Sequence, residues 1–239
     1  MKKLFQKEEI LFAVMWIVIY VLGFSNADML SDVIGIPKLI TVIVGAVISV
    51  ILLVFVKRND LLTYFGLCPA CVAPKKVLFW LPLVAISSVN LLCGLVYPED
   101  ILSAVLGVIC MCFVGFLEEL IFRGFLFKAM CKNNVKVAIL VSSLTFGAGH
   151  VINLLMGAPL LDTLLQLAYA TAVGFCYTAI FYVSGSILPC ILSHAVVNSL
   201  SVFVGTPTPL NLIVTAMIQI VLGVGYGLWL LRQKKCDDT

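Results

Sequence analysis

Eight apolar stretches follow one another along the chain, at approximately 10–24, 36–56, 78–97, 101–127, 136–156, 163–183, 186–204 and 210–231. A bilayer core of about 30 Å is crossed by about 20 residues of helix, and its lack of water admits only backbones that satisfy their own hydrogen bonds. The pattern therefore predicts an all-α polytopic membrane protein, a multi-pass integral protein of about eight transmembrane helices. With 62% of the 239 residues hydrophobic and 11% charged, too little polar surface remains for a soluble fold of this size. The spans consume nearly the whole chain, so residues 1–239 read as a single transmembrane domain. Its first partner is the lipid bilayer, and no nucleic-acid partner is expected. The first span is short and is followed by Ser25-Asn26-Ala27, small residues of the kind found at signal-peptide cleavage sites. Glu8 and Glu9 dilute the positive region before it, so an uncleaved first span is expected.

Charge sets the orientation. Lys2, Lys3 and Lys7 precede span one. Lys57, Arg58, Lys75 and Lys76 fall between spans two and three, and Lys128, Lys132 and Lys136 lie between four and five. Arg232, Lys234 and Lys235 follow span eight, which puts 13 of the 15 basic residues on one face. The opposite loops carry Asp28, Asp32, Glu99, Asp100 and Asp162, with Lys38 the lone cation near them. Both termini are thus predicted to be cytoplasmic. The connection 57–77, with Leu61, Leu62, Tyr64, Phe65 and Leu67 between charged ends, is expected along the cytoplasmic interface.

The nine cysteines fall mostly inside apolar runs, where a thiol packs as a small hydrophobe, and do not form a secreted disulfide pattern. Cys68-Pro-Ala-Cys71 lacks the second pair that a tetrahedral metal site needs. The terminal Cys236-Asp-Asp-Thr has aspartates where a prenylation box has aliphatic residues.

Three charges remain inside span four, in Phe116-Leu-Glu-Glu-Leu-Ile-Phe-Arg-Gly124: Glu118, Glu119 and Arg123. Ionisable groups in hydrocarbon are expensive and ordinarily face a partner or a cavity. At about 100° per residue Glu119 and Arg123 lie on one face and can pair, whereas Glu118 points about 100° away from Glu119. One carboxylate is then neutralised and the other is free as a general base. The bland alternative is that span four ends early and the cluster is a solvated helix end.

The only two histidines, His150 and His194, also sit in apolar helices, each with a polar or aromatic companion one turn away. Phe146 precedes His150 and can brace its ring, Gly147 and Gly149 permit close approach of a helix or a substrate backbone, and Asn198 shares a face with His194. Counted along each span, Glu118 lies about 15 Å from the cytoplasmic end, His150 about 21 Å, His194 about 12 Å and Asn198 about 18 Å. Polar groups on three helices thus reach similar depths, so the bundle is expected to surround a buried Glu/His site. Two hydrolytic chemistries are open. Glu118 and His150 can activate water while His194 and Asn198 hold the oxyanion. Alternatively Glu118, His150 and His194 bind zinc, with Asn198 orienting.

Glu118-Glu119-x-x-x-Arg123, Phe146-x-x-x-His150 and His194-x-x-x-Asn198, in this order over about 100–205, resemble the motif series of the CPBP intramembrane proteases. That family includes CAAX prenyl endopeptidases, Abi proteins, bacteriocin-immunity proteins and lysostaphin resistance protein A-like proteins. The resemblance implies an eight-helix membrane endopeptidase, usually termed a metalloprotease, with a motif-bearing core at 100–205. It implies Glu118 as the catalytic carboxylate, His150 in water activation or metal binding, and His194 and Asn198 in transition-state stabilisation or ligation. Glu119 and Arg123 would hold the architecture. The implied substrate is a membrane-associated peptide or protein, prenylated or otherwise lipidated in one branch. Competing readings are a non-catalytic immunity or scaffold protein of the same fold, and a proton-coupled transporter. The transporter reading lacks the internal symmetry and paired broken helices expected of one.

Overall fold

A computed structural model describes residues 1–70 and 80–237, with side chains through 233. Cys71, Lys75 and Lys76 lie outside the described residues, as do the side chains of Lys234, Lys235 and Cys236. The chain forms α1 (Lys2–Lys7), α2 (Glu9–Ile34), α3 (Leu39–Arg58) and α4 (Leu81–Ser88), the last continued by a 3-10 turn, Val89–Cys93. Then come α5 (Ile101–Glu118), a π-helical stretch (Glu119–Phe127), α6 (Lys128–Cys131), α7 (Val135–Gly149), α8 (Val151–Leu155), α9 (Leu160–Ser184), α10 (Leu188–Ser201) and α11 (Pro209–Asp237). No strand is formed among the described residues, apart from one isolated bridge between Leu95 and Val204.

Six helical segments are long and apolar enough to cross a membrane: 9–34, 39–58, 101–131, 135–155, 160–184 and 209–233. The other two expected spans are shorter, Leu81–Cys93 and Leu188–Ser201, and at 1.5–2.0 Å per residue each covers only about 20 Å. Their polar residues explain the shortening. Ser87 and Ser88 hydrogen-bond back to the Leu83 and Val84 carbonyls, and Asn90 donates to the Val197 carbonyl instead of extending a helix. Gly94, at φ +80°, then turns the chain. The two short helices pack on each other, with the Ser87 and Ser193 hydroxyls 2.8 Å apart.

The first span differs in the other direction. It runs through Ser25–Ala27 to Ile34, so Asp28 and Asp32 belong to the helix and not to a loop. Asp28 is tolerated there because Lys38 bridges to it at 2.8 Å and the Thr41 hydroxyl donates to it. On the same face of the protein, Asp100 caps α5 and accepts from the Ser103 hydroxyl, which holds its carboxyl below the ordinary value.

Leu22, Val50, Leu102, Leu164 and Val221 project outward as expected of lipid-facing side chains. The inner position belongs to the continuous helix 101–131. Every residue of its π-helical stretch, Glu119 to Phe127, is buried. α2 and α7 pack on that stretch, α3 and α10 pack on α5, and α9 lies between α7 and α11. Within the 57–70 segment Phe65 and Gly66 turn inward under the bundle, while Leu62, Thr63 and Pro69 stay exposed. Phe65 is 1% exposed, its ring meets Phe5, Tyr64 and Phe125, and the Gly66 carbonyl accepts from the Ile187 amide. Edge-to-face ring pairs add to what burial alone contributes.

Close contact of α9 with α11 rests on a small residue. A Cβ at Gly223 would lie 2.6 Å from the Ala172 carbonyl oxygen, whereas one at Gly225 would meet nothing within 4 Å. Gly223→Ala is expected to destabilise the protein by about 1–3 kcal/mol. Gly225→Ala should leave stability unchanged or raise it by about 0.5–1 kcal/mol. Unfolding in detergent micelles checks the pair.

Candidate active site

Glu118 closes α5 and Glu119 opens the π-helical stretch, so the two carboxylates diverge where the helix widens. π-helical turns occur often at functional sites. Glu119, fully buried, accepts from Arg123 Nη1 at 3.0 Å, the pairing that helical phase predicts. The same oxygen, Oε1, also lies 2.9 Å from His194 Nδ1. Glu119 therefore does more than neutralise the arginine: it fixes the orientation of the His194 ring, as carboxylates behind functional histidines do. The Arg123 guanidinium lies 4.1 Å above the Phe146 ring and 5.7 Å from that of Tyr177, a cation–π cage that replaces water. Gly174 makes room for it, since a Cβ there would come within 3.0 Å of Arg123 Nη2.

Glu118 is 8% exposed and faces the opposite way. Its Oε1 accepts from the Tyr20 hydroxyl at 2.7 Å, and its Oε2 stands 3.5 Å from His194 Nε2 with no hydrogen-bond partner among the described residues. The two histidine nitrogens thus divide between the two glutamates, Nδ1 to Glu119 and Nε2 toward Glu118. Gly115, one turn before Glu118, allows this: a Cβ there would lie 2.8 Å from the Ala195 amide nitrogen, so α5 and α10 touch backbone to backbone beside His194.

His150 follows the last residue of α7, where the helix tightens before α8, and Phe146 meets its ring edge-on at 5.6 Å. The Phe146 ring also lies 5.7 Å from that of His194, so one aromatic side chain spaces both histidines and the arginine. Of the two glycines beside His150, Gly147 packs against Thr171 and Leu167 of α9, while Gly149 faces open space.

Glu118, His150, His194 and Asn198 all line one cavity of about 470 Å³, which also receives Asn90, Asn153, Gln166 and Tyr177. Glu118 and His150 line a second cavity of about 420 Å³ as well, bounded by Tyr20, Phe24, Asp28 and Gly149. The four residues singled out in the sequence are therefore brought together, and Glu119, Arg123 and Phe146 form the layer behind them. Missed in the sequence were Tyr20, on α2 and far from any motif, and the Tyr177–Ser193–Ser87 hydroxyl chain, joined at 2.8 Å on each side, that backs His194. A lone tyrosine in an apolar helix carries no signal until its partner is known.

Glu118 Oε2 and His194 Nε2 are donor atoms of the kind that bind zinc. Among the described residues, however, no three His, Cys, Asp or Glu side chains stand in an arrangement that could hold a metal ion. The trio Glu118, His150 and His194 thus does not fit zinc as placed.

Residues 100–200 match the family described as type II CAAX prenyl endopeptidase Rce1-like. This core is similar to the CAAX proteases over that stretch, which is less than half of the chain. The match covers α5 through most of α10 and includes Glu118, Glu119, Arg123, Phe146, His150, His194 and Asn198, but not Tyr20, Ser87 or Asn90. Neither a curated protein nor a solved structure matches the chain. The family is one of membrane proteases, and the helical bundle is that of an integral multi-pass protein.

Removing Arg123 alone would leave Glu119 as a buried, uncompensated carboxylate. Arg123→Met is expected to cost about 3–5 kcal/mol, and the double variant Glu119→Gln/Arg123→Met should recover part of that loss. Chemical denaturation in detergent checks the ordering of the three proteins.

Proposed function

We propose that the protein is an intramembrane endopeptidase that hydrolyses peptide bonds of membrane-associated polypeptides, with Glu118 as the general base. The observation that carries this reading is Glu118 Oε2: a buried carboxylate oxygen without a hydrogen-bond partner, beside His194 and on a cavity shared with His150. Glu119 Oε2 also lacks a partner among the described residues but does not line that cavity, whereas Glu118 Oε2 can meet a water that must be deprotonated.

In this reading Tyr20 holds Oε1, which leaves Oε2 to take the proton of a water as its oxygen attacks the scissile carbonyl. His150, on the same cavity, hydrogen-bonds that water. In its imidazolium form His194 donates from both ring nitrogens, Nδ1 to Glu119 and Nε2 into the cavity. With the Asn198 amide it holds the oxyanion that forms. The proton taken by Glu118 then passes to the leaving amine, and the carboxylate is restored. Phe146 and the Arg123 cage keep bulk water from the rear of the site. No step here is routed through zinc.

Glu118→Gln should lower kcat for cleavage of membrane-anchored reporter peptides, a prenylated peptide among them, by about 10²–10⁴-fold. Asn198→Ala should lower it by about 10²–10³-fold. Tyr20→Phe, which removes one hydrogen bond to a charged group, should cost about 10- to 100-fold. Retention of full activity or full biological effect by Glu118→Gln would defeat the catalytic reading and leave a scaffold or immunity role. Elemental analysis of the purified protein is expected to find less than stoichiometric zinc. One zinc per chain, lost in both His150→Ala and His194→Ala, would replace the glutamate mechanism with a metal one.

A further inference from the structure

Among the described residues, the cavities that meet at Glu118 reach only one face of the bundle. The second cavity runs from His150 to Asp28, Asp32 and Lys38 at the α2–α3 turn and to Met156 after α8. The first shares Asn90, Gln166, Tyr169 and Gln219 with a further cavity of about 280 Å³, which ends at Asp162, Gly205 and Pro207. These end points lie at connections or helix ends on the acidic face. None of these three cavities is lined by a residue of the 57–70 segment, of the α6–α7 turn or of the α9–α10 turn.

Both faces have a physical reason for this. The 3-10 turn after α4 and the C-terminus of α10 stop short, and Cys93, Val204 and Gly205 at those ends line the opening left in the bundle. Toward the basic loops the site has a closed floor. Leu120 to Phe127 are all buried, and Phe12 and Phe65 pack under them against Phe125, with ring centroids 5.1 and 4.9 Å from it. Opening that floor would require separating a dense aromatic cluster.

The basic loops mark the cytoplasmic face, because a strong excess of lysine and arginine is retained there. We infer that the active site opens to the non-cytoplasmic face and takes its substrate from that side. The substrate class is then a polypeptide segment displayed at the outer membrane surface. A prenylated C-terminus held at the cytoplasmic leaflet has no path to Glu118. This rests on the endopeptidase reading for the nature of the substrate, whereas the side of entry rests on geometry and charge alone.

Three single-cysteine additions test the side of entry without relying on turnover: Gly149→Cys beside His150, Met156→Cys at the cavity mouth, and Asn133→Cys in the exposed α6–α7 turn. Intact spheroplasts of a bacterial expression host are treated with a membrane-impermeant maleimide. Peptide mass mapping separates the introduced thiols from the native cysteines. Gly149→Cys and Met156→Cys should react at least tenfold faster in intact spheroplasts than Asn133→Cys, which should react only after permeabilisation. The reverse pattern would overturn the inference, as would a Gly149→Cys thiol inert in intact spheroplasts while Met156→Cys reacts. Failure of the endopeptidase reading would appear instead as no cleavage of reporter peptides by the unsubstituted protein, with the labelling pattern unaffected.

Discussion

Two carboxylates and a guanidinium sit together in the interior of a helix bundle that has almost no other charge at that depth. In such surroundings an unpaired charge costs several kcal/mol, so each must be answered by a specific partner. Glu119 answers Arg123 and His194 with a single oxygen, and Arg123 spends the rest of its charge on the faces of Phe146 and Tyr177. This arrangement imposes the local architecture. It requires α7, α9 and α10 to converge on one helix, and it requires Gly115 and Gly174 where a larger residue would hold the partners apart. The wide turns of the π-helical stretch begin at Glu119, one residue after Glu118, and the two carboxylates meet different nitrogens of one imidazole.

The division of labour follows from where the oxygens face: each glutamate has an Oε2 without a hydrogen bond among the described residues, but only Glu118 lines the cavities. Glu119 is consumed in holding Arg123 and His194. Glu118 is held at one oxygen by Tyr20 and left open at the other, toward the cavities. Buried polar groups that are fully bonded rigidify a structure, while one left open is a place where a reactant can bind. Tyr20 lies outside the stretch that matches the protease family, as do Ser87 and Asn90, so α2 and α4 with its 3-10 turn complete a site centred on the matched core.

The bundle is also asymmetric along the membrane normal. A floor of packed aromatic rings closes one end, and two helices that stop short leave space at the other. The same residue types that make the floor dense, phenylalanine above all, make it expensive to open. Access to the site is in this way a property of helix lengths and ring packing, and not of the catalytic residues themselves.

Much of this was legible in the chain. The apolar runs announced a helical membrane protein, and helical phase paired Glu119 with Arg123 and sent Glu118 elsewhere. The spacing of His150, His194 and Asn198 pointed to one site. These features are local: periodicity and depth are counted along single helices, where covalent geometry leaves little freedom. Other features arose only when helices met. The shortening of 78–97 and 186–204 depends on side chains of one helix bonding carbonyls of another, as Asn90 does to Val197. The inward fold of Phe65, the hydrogen bond from Tyr20 and the second role of Glu119 join residues 60 to 120 positions apart or on separate spans. The sequence by itself determined the solvent of the fold, its helices and the residues in which charge is buried. Tertiary structure alone decided which nitrogen faces which carboxylate and where the cavity opens, because both depend on distances between helices that no one-dimensional period encodes.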